Sequence, residues 1–241
     1  TMRQLPGTVL SMCVLLPAFS CFAQDPVVDF SYAFATPHRM TVGLPETSDK
    51  TLVDCEPGNV RLGWTYEDLT SYPLAAFKTP PANWGVRITP QIDGKPLANS
   101  AWTRAEGVLP ILDNTHTDPA GTVRLEVNGT ALAALVRVTL SNTSSERHTF
   151  RLVCESQRGF FGYNPGYVDP DKDKDVLLAG WGERADRIIV MAAGAPACEI
   201  TSATTLNPAW ELAPGETKTA WLVRPYRANA ADLPALRAKD W

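Results

Sequence analysis

Four aspartates on alternate positions, Asp169, Asp171, Asp173 and Asp175 in "DPDKDKD", invite a calcium-loop reading. The register fails. Counting from Asp169, the sixth position is Lys174 and the twelfth Gly180, where an EF-hand needs a turn glycine and a bidentate glutamate. Lys172 and Lys174 dilute the negative field, so the segment reads as a solvated charged loop and no metal is expected. The aromatic residues around it have a different chemistry. Tyr163, Tyr167 and Trp181 share residues 159–187 with these carboxylates and with Arg184. Flat rings stack on the apolar faces of sugars, while carboxylates and guanidinium groups bond their hydroxyls. Tyr163, Tyr167, Trp181 and Arg184 are therefore expected to contact carbohydrate. Contact with another module is the alternative, because exposed apolar patches mark interfaces.

Other chemistry is sparse. His38, His116 and His148 stand in no recognisable motif, and no GxSxG, P-loop or HExxH pattern occurs. No catalytic residue and no cofactor is expected within the chain. Cys55, Cys154 and Cys198 have no CxxC spacing, which argues against a metal site. Cys154 in "FRLVCE" and Cys198 in "APACEI" lie in strand-like settings. One disulfide between them is possible in an oxidising compartment; the other reading is small buried hydrophobes. Asn128-Gly129-Thr130 and Asn142-Thr143-Ser144 are glycosylation sequons, yet both fall where a turn wants asparagine.

The elements that must position these residues are strands. "TVRLEV", "ALVRVTL" and "TFRLVCE" alternate apolar and polar side chains, the mark of antiparallel strands with one buried face. Asp93-Gly94 and Asn128-Gly129 read as tight hairpin turns, "SNTSSERH" as a longer hairpin loop and "APGET" as a Pro-Gly turn. Trp210 and Trp221 fall in alternating strands and are expected in the core, with Trp64 beside them. The 20 prolines are spread through the chain and disfavour a helical protein. An all-β fold follows: a two-sheet antiparallel β-sandwich over residues 24–228, with a short helix starting in the segment 229–241.

Residues 1–23 have one basic residue, Arg3, an apolar run from Val9 to Phe19, and small residues before Gln24. This is the pattern of a cleaved signal peptide, so an exported protein with no membrane span in its mature chain is expected. With a net charge of −4 and no basic stripe, the chain offers nothing to neutralise phosphates, which excludes nucleic acid as a partner. Thr1 before Met2, and a helix cut short at Trp241, fit a chain cut at both ends.

"LVRVTLSNTSSERHTFRLVCES", followed by "WELAPGETKTAWLVRPYRANAADLPALRAKDW", resembles the N-terminal β-sandwich of bacterial glycoside hydrolases whose catalytic module is an (α/α)6 barrel. That sandwich is of the galactose-mutarotase-like, supersandwich type. In these enzymes a strand ending in Pro-Tyr hands over to a linker helix that leads into the barrel, and residues 225–241 look like that handover. The resemblance implies a missing C-terminal catalytic module as partner, with the catalytic carboxylates beyond Trp241, and a poly- or oligosaccharide as substrate. A self-contained exported carbohydrate-binding or Ig-like interaction module is the alternative. The two differ at Leu233, Leu236 and Trp241: an isolated linker helix should expose them, whereas a terminus should pack or fray.

Overall fold

The computed structural model describes residues 39–44, 46, 51–56, 59–65, 85–97, 100–105, 111–157, 168–169, 172–181, 184–195 and 197–241. These residues form an all-β, two-sheet antiparallel sandwich. In chain order the strands are β1 (Arg39–Val42), β2 (Thr51–Glu56), β3 (Asn59–Thr65), β4 (Gly85–Ile92), β5 (Lys95–Pro96), β6 (Thr103–Arg104), β7 (Leu112–Asp118) and β8 (Gly121–Gly129). They continue with β9 (Ala133–Asn142), β10 (His148–Gln157), β11 (Val176–Trp181), β12 (Arg184–Ala193), β13 (Ala197–Ser202), β14 (Thr205–Leu212) and β15 (Thr217–Pro225). A 3-10 turn at Ala230–Asp232 then leads into helix α1 (Leu233–Arg237).

The 8-stranded sheet runs β1-β2-β3-β4-β10-β14-β13, with β5 paired to β4. The 7-stranded sheet runs β11-β12-β15-β9-β8-β7-β6. Side-chain alternation explains which face each strand buries. In β8, Val123, Leu125 and Val127 are buried while Arg124 and Glu126 point away. Phe150, Leu152 and Cys154 of β10 meet them from the opposite sheet, with Trp210 and Leu212 of β14 alongside. The turn at Asp93-Gly94 behaves as its composition demands. Asp93 (φ 50) and Gly94 (φ 75) both take left-handed backbone, as a two-residue hairpin loop requires.

Three sequence expectations are corrected. "SNTSSERH" is not a hairpin loop: β9 lies in the 7-stranded sheet and β10 in the 8-stranded one, so the loop carries the chain from sheet to sheet. "APGET" is the expected Pro-Gly turn, with Gly215 at φ 73 and the Glu216 amide donating to the Ala213 carbonyl (3.0 Å), and it too carries the chain between sheets, from β14 to β15. Asn128-Gly129 is not the turn either. Both residues belong to β8, and the reversal uses Thr130, whose hydroxyl accepts the amides of Leu132 (3.2 Å) and Ala133 (3.1 Å). Trp210 is in the core, but Trp221 lies half-buried on the outer face of its sheet, between inward-facing Ala220 and Leu222. There the Arg137 guanidinium sits 6.0 Å from its ring centroid. The side chain of Trp64 lies outside the described residues.

One residue stitches the two sheet crossings together. Asn142, 1% exposed, donates its amide to the Glu216 carbonyl (3.0 Å) and accepts the Gly215 amide at its own carbonyl (3.0 Å). Its Nδ2 donates to the carbonyls of Glu146 (2.7 Å) and Leu212 (2.9 Å), while Oδ1 accepts the Ser144 amide (3.0 Å) and hydroxyl (2.9 Å). A side-chain nitrogen committed in this way cannot carry a glycan in the folded protein, so the sequon at Asn142 is structural.

The outer face of the 7-stranded sheet is divided. Over β7, β8 and β9 it is charged: Asp113, Arg124, Glu126 and Arg137 form a chain of ion pairs at 2.6, 3.1 and 3.3 Å. Over β15, β12 and β11 it is apolar, with Leu135, Val223, Val176, Leu178, Ile188 and Met191 in a second hydrophobic cluster. Helix α1 covers this half. Leu233 is buried (2% exposed), and Leu236 and Trp241 pack against the same cluster.

Candidate functional site

The segment proposed from sequence to touch carbohydrate joins the two sheets, leaving β10 at Gln157 and entering β11 at Val176. Tyr163 and Tyr167 lie outside the described residues, as does Asp171. Trp181 ends β11 and Arg184 begins β12, and their Cα atoms are register partners. The two positions are thus adjacent at one hairpin end; their side chains lie outside those described. Val168, buried at 2%, anchors the segment by donating its amide to the Ala203 carbonyl (2.8 Å) in the β13–β14 turn.

The aspartates are not simply a solvated loop. The Asp169 carboxylate accepts the Lys172 amide (3.2 Å), which shapes a local turn. Asp173 and Asp175 clamp Arg237 of α1: Nε donates to Asp175 Oδ2 (2.9 Å) and Nη2 to Asp173 Oδ1 (2.8 Å). The Asp175 hydrogen bonds, with those of Asp173, raise the guanidinium above its ordinary pKa. Sequence spacing could not show this partner, which is 62 residues away. Among the described residues, no cluster of His, Cys, Asp and Glu could hold a metal ion.

Burial at Leu233 outweighs the ion pair in holding α1 down. The Arg237 side chain is 40% exposed, so screening leaves its pair about 0.5–1 kcal/mol. Truncating a buried leucine costs about 2–5 kcal/mol. Leu233→Ala should therefore release the amides of Ala238 and Lys239, bonded to the Pro234 and Leu236 carbonyls, to rapid hydrogen exchange, whereas Arg237→Ala should leave them protected. Equal exchange in both variants would reverse that ranking.

Cys154 and Cys198 are free thiols on the inner face. Cys154 pairs in register with Leu206 and Cys198 with Pro208, so β14 runs between them. Two strand spacings are about 9.6 Å, beyond the roughly 7 Å that a disulfide can bridge. Burial pushes the Cys198 thiol up to about 12 and raises Cys154 as well, so both remain protonated and unreactive.

Two of the three histidines, His116 and His148, are described, and both are held by polar neighbours; His38 lies outside the described residues. His116 is fully buried, with Nδ1 3.4 Å from the Ser100 hydroxyl. That hydroxyl donates to Asn114 Oδ1, and Asn114 Nδ2 returns a bond to the Ser100 carbonyl (3.3 Å). The serine proton is thus engaged by an amide, not passed to a base. His148 Nδ1 lies 2.6 Å from Asp93 Oδ2. The Thr149 amide, and then His148 and Lys95, hold the Asp93 carboxyl below its ordinary value against the opposing cost of burial.

A second polar surface was not anticipated from sequence. On the outer face of the 8-stranded sheet, register aligns Arg61, Arg87, Glu155 and Thr205 across β3, β4, β10 and β14. Arg87 Nη2 donates to Glu155 Oε2 at 2.6 Å, with side chains 39% and 45% exposed. Arg61 is 6% exposed although it points away from the core. One turn of the pleat further, Gln91 pairs in register with Arg151. Nearer the sheet edge Asn207, 2% exposed, donates to the Thr201 hydroxyl (2.7 Å). Only the register puts these residues in a row.

No helix among the described residues is long and apolar enough to cross a membrane. In comparisons with known proteins, no protein-family model matches the chain and no curated protein matches it, so its geometry alone speaks for its function.

Proposed function

We propose that this chain is the non-catalytic β-sandwich of an exported glycoside hydrolase, packing on a catalytic barrel and helping to shape its carbohydrate cleft. One observation carries the reading. β15 ends at Pro225, Tyr226 follows buried at 1%, and a short linker leads directly into α1, the order that the resemblance implies for a handover into a helical module. A large two-sheet sandwich before that handover adds support. In this reading the catalytic acid and base belong to the barrel, and the sandwich contributes surface.

The experiment is to sequence the source DNA past the codon for Trp241. An open frame of several hundred codons encoding helical hairpins, with Asp or Glu in the connecting loops, is the expected result. A stop codon within a few residues would sink the reading. A self-contained exported carbohydrate-binding or Ig-like module is the second reading. It is favoured by the packing of Leu233, Leu236 and Trp241 on the sandwich, where an isolated linker helix should expose them.

A further inference from the structure

The last rung between β4 and β10 is closed by a side chain. At the hairpin end, Ile92 and Phe150 are the final register pair of the two strands. One step further, the Asp93 amide still donates to the Thr149 carbonyl (2.9 Å), but the return bond does not go to a backbone oxygen. Asp93 has turned into left-handed backbone (φ 50) to begin the hairpin, and its Oδ1 accepts the Thr149 amide instead, also at 2.9 Å. Its Oδ2 lies 2.6 Å from Nδ1 of His148, whose side chain is only 16% exposed. Beyond the turn, β5 pairs with β4 alone among the described strands. The hairpin tip is thus tied to β10 by the Asp93 amide and carboxylate.

We propose that Asp93 and His148 form an acid-operated latch: with both groups charged it clasps the β4–β5 hairpin to β10, and in acid it opens while the rest of the sandwich stays folded. A carboxylate accepts both donors at full strength, whereas a protonated carboxyl accepts weakly and sets a hydrogen of its own against them. The imidazole cannot compensate, because in acid it is an imidazolium and both its nitrogens donate. The rest of the β4–β10 ladder is closed by backbone groups, which do not titrate. The charges around the latch add to the effect. Lys95 of β5 attracts the carboxylate from the hairpin side. Glu211 of β14 accepts the Thr149 hydroxyl, and Arg147, next to His148, lies in the field of Glu216 from the β14–β15 turn. Once Asp93 is neutral, Lys95 and His148 remain as like charges with no carboxylate to join them. The Thr149 amide, and after it His148 and Lys95, hold the Asp93 carboxyl below its ordinary value although burial opposes them. A lowered native value makes the latch complete above the unfolded value of about pH 4, and it is lost as the pH falls through the native one.

The test is amide hydrogen exchange of the full chain by NMR from about pH 6 to about pH 2, each rate divided by its intrinsic value at that pH; this range spans the ordinary carboxyl value. Protection of the Asp93 and Thr149 amides should fall about tenfold, as loss of one charge-assisted hydrogen bond implies. Amides in the middle of β9, a strand paired on both sides, should keep theirs. The carboxyl carbon shift of Asp93 should titrate below about pH 4 and track the loss. Asp93→Asn retains an oxygen for the Thr149 amide, and Asn-Gly is the favoured pair for such a turn, but the amide takes up no proton. Its hairpin amides should show the parent's acid value at every pH. Glu211→Gln removes the carboxyl that accepts the Thr149 hydroxyl and should leave the fall unchanged. A fall that persists in Asp93→Asn, or vanishes in Glu211→Gln, would assign the titration to another group and overturn the proposal. So would constant protection in the parent, an Asp93 shift that titrates apart from the loss, or an equal fall in β9, the sign of global acid unfolding.

Discussion

Asn142→Ala is expected to lower the stability of the sandwich by about 3 kcal/mol or more, because each buried polar group left without its partner costs roughly 1–3 kcal/mol. The substitution strands the Leu212 carbonyl, whose bond from Nδ2 is buried, and the Ser144 amide, while the Glu146 carbonyl and Ser144 hydroxyl keep their bond to each other (3.1 Å). For a domain of this size the loss corresponds to a fall in Tm of roughly 6–12 °C. Asn142→Leu should do no better, since filling the volume does not replace four hydrogen bonds. Ser144→Ala, which removes only one hydroxyl at a part-exposed site, is the control and should cost about 1 kcal/mol. Thermal melts of the three variants check the ranking. If Asn142→Ala melted within 2 °C of the parent, as about 1 kcal/mol or less would imply, the stitch between the two crossings would carry no weight.

Gly129→Ala should be nearly as damaging, and for a reason opposite to the usual one. Replacing a glycine whose backbone other residues can adopt commonly stabilises a protein by about 0.4–1 kcal/mol. Gly129 has ordinary strand backbone within β8, so no torsional penalty applies. A methyl group there, however, would lie 2.3 Å from the Gly43 nitrogen and 2.5 Å from its Cα. These are backbone atoms just beyond β1, and they can yield only if β1 moves off β8. Overpacking of this kind costs about 1–3 kcal/mol, and relief by movement should appear as faster hydrogen exchange in residues 40–42. Gly94→Ala makes a fair comparison: its Cβ would meet nothing within 4 Å, leaving only the left-handed φ of 75 to resist it. A parent-like melt and parent-like exchange in Gly129→Ala would show that the contact between β1 and β8 is looser than drawn.

These two residues also mark the limit of what the chain revealed by inspection. Alternation in "TVRLEV" and "TFRLVCE" told which side chains turn inward, because a strand's side-chain period is two whatever its neighbours. It could not tell which sheet a strand joins. "SNTSSERH" and "APGET" are polar and turn-rich, as hairpins are, and a crossing between sheets has the same needs at its surface. Asn128-Gly129 looked like a two-residue turn because that dipeptide favours left-handed backbone, but here the glycine is required by a strand approaching from the other sheet. Trp221 was placed in the core on periodicity alone, and the period allowed either face.

The candidate site divides along the same line. Trp181 and Arg184 were expected to act together, and register makes their positions partners. Asp173 and Asp175 were legible as a charged pair, but their arginine was not, since it approaches from the end of the chain. The row through Arg61, Arg87 and Glu155 was out of reach for a third reason. Its members come from three strands whose relative register depends on the fold as a whole, and no local pattern encodes it.

The strand order has one more consequence. The chain passes from one sheet to the other after β5, β9, β10, β12 and β14, so neither sheet is a continuous piece of polypeptide. β10 needs β4 and β14 as neighbours, and the chain between β10 and β14 includes two strands of the opposite sheet. Half a sandwich therefore has no core of its own to collapse onto, and the pairings that join distant strands, β4 with β10, β10 with β14, β12 with β15 and β9 with β15, must close long loops before any reward arrives. Such a topology folds on the slow side, in milliseconds to seconds, and as one cooperative event. A cut in any of the crossings would leave two fragments that are complementary but individually unfolded, each holding strands that only the other can pair.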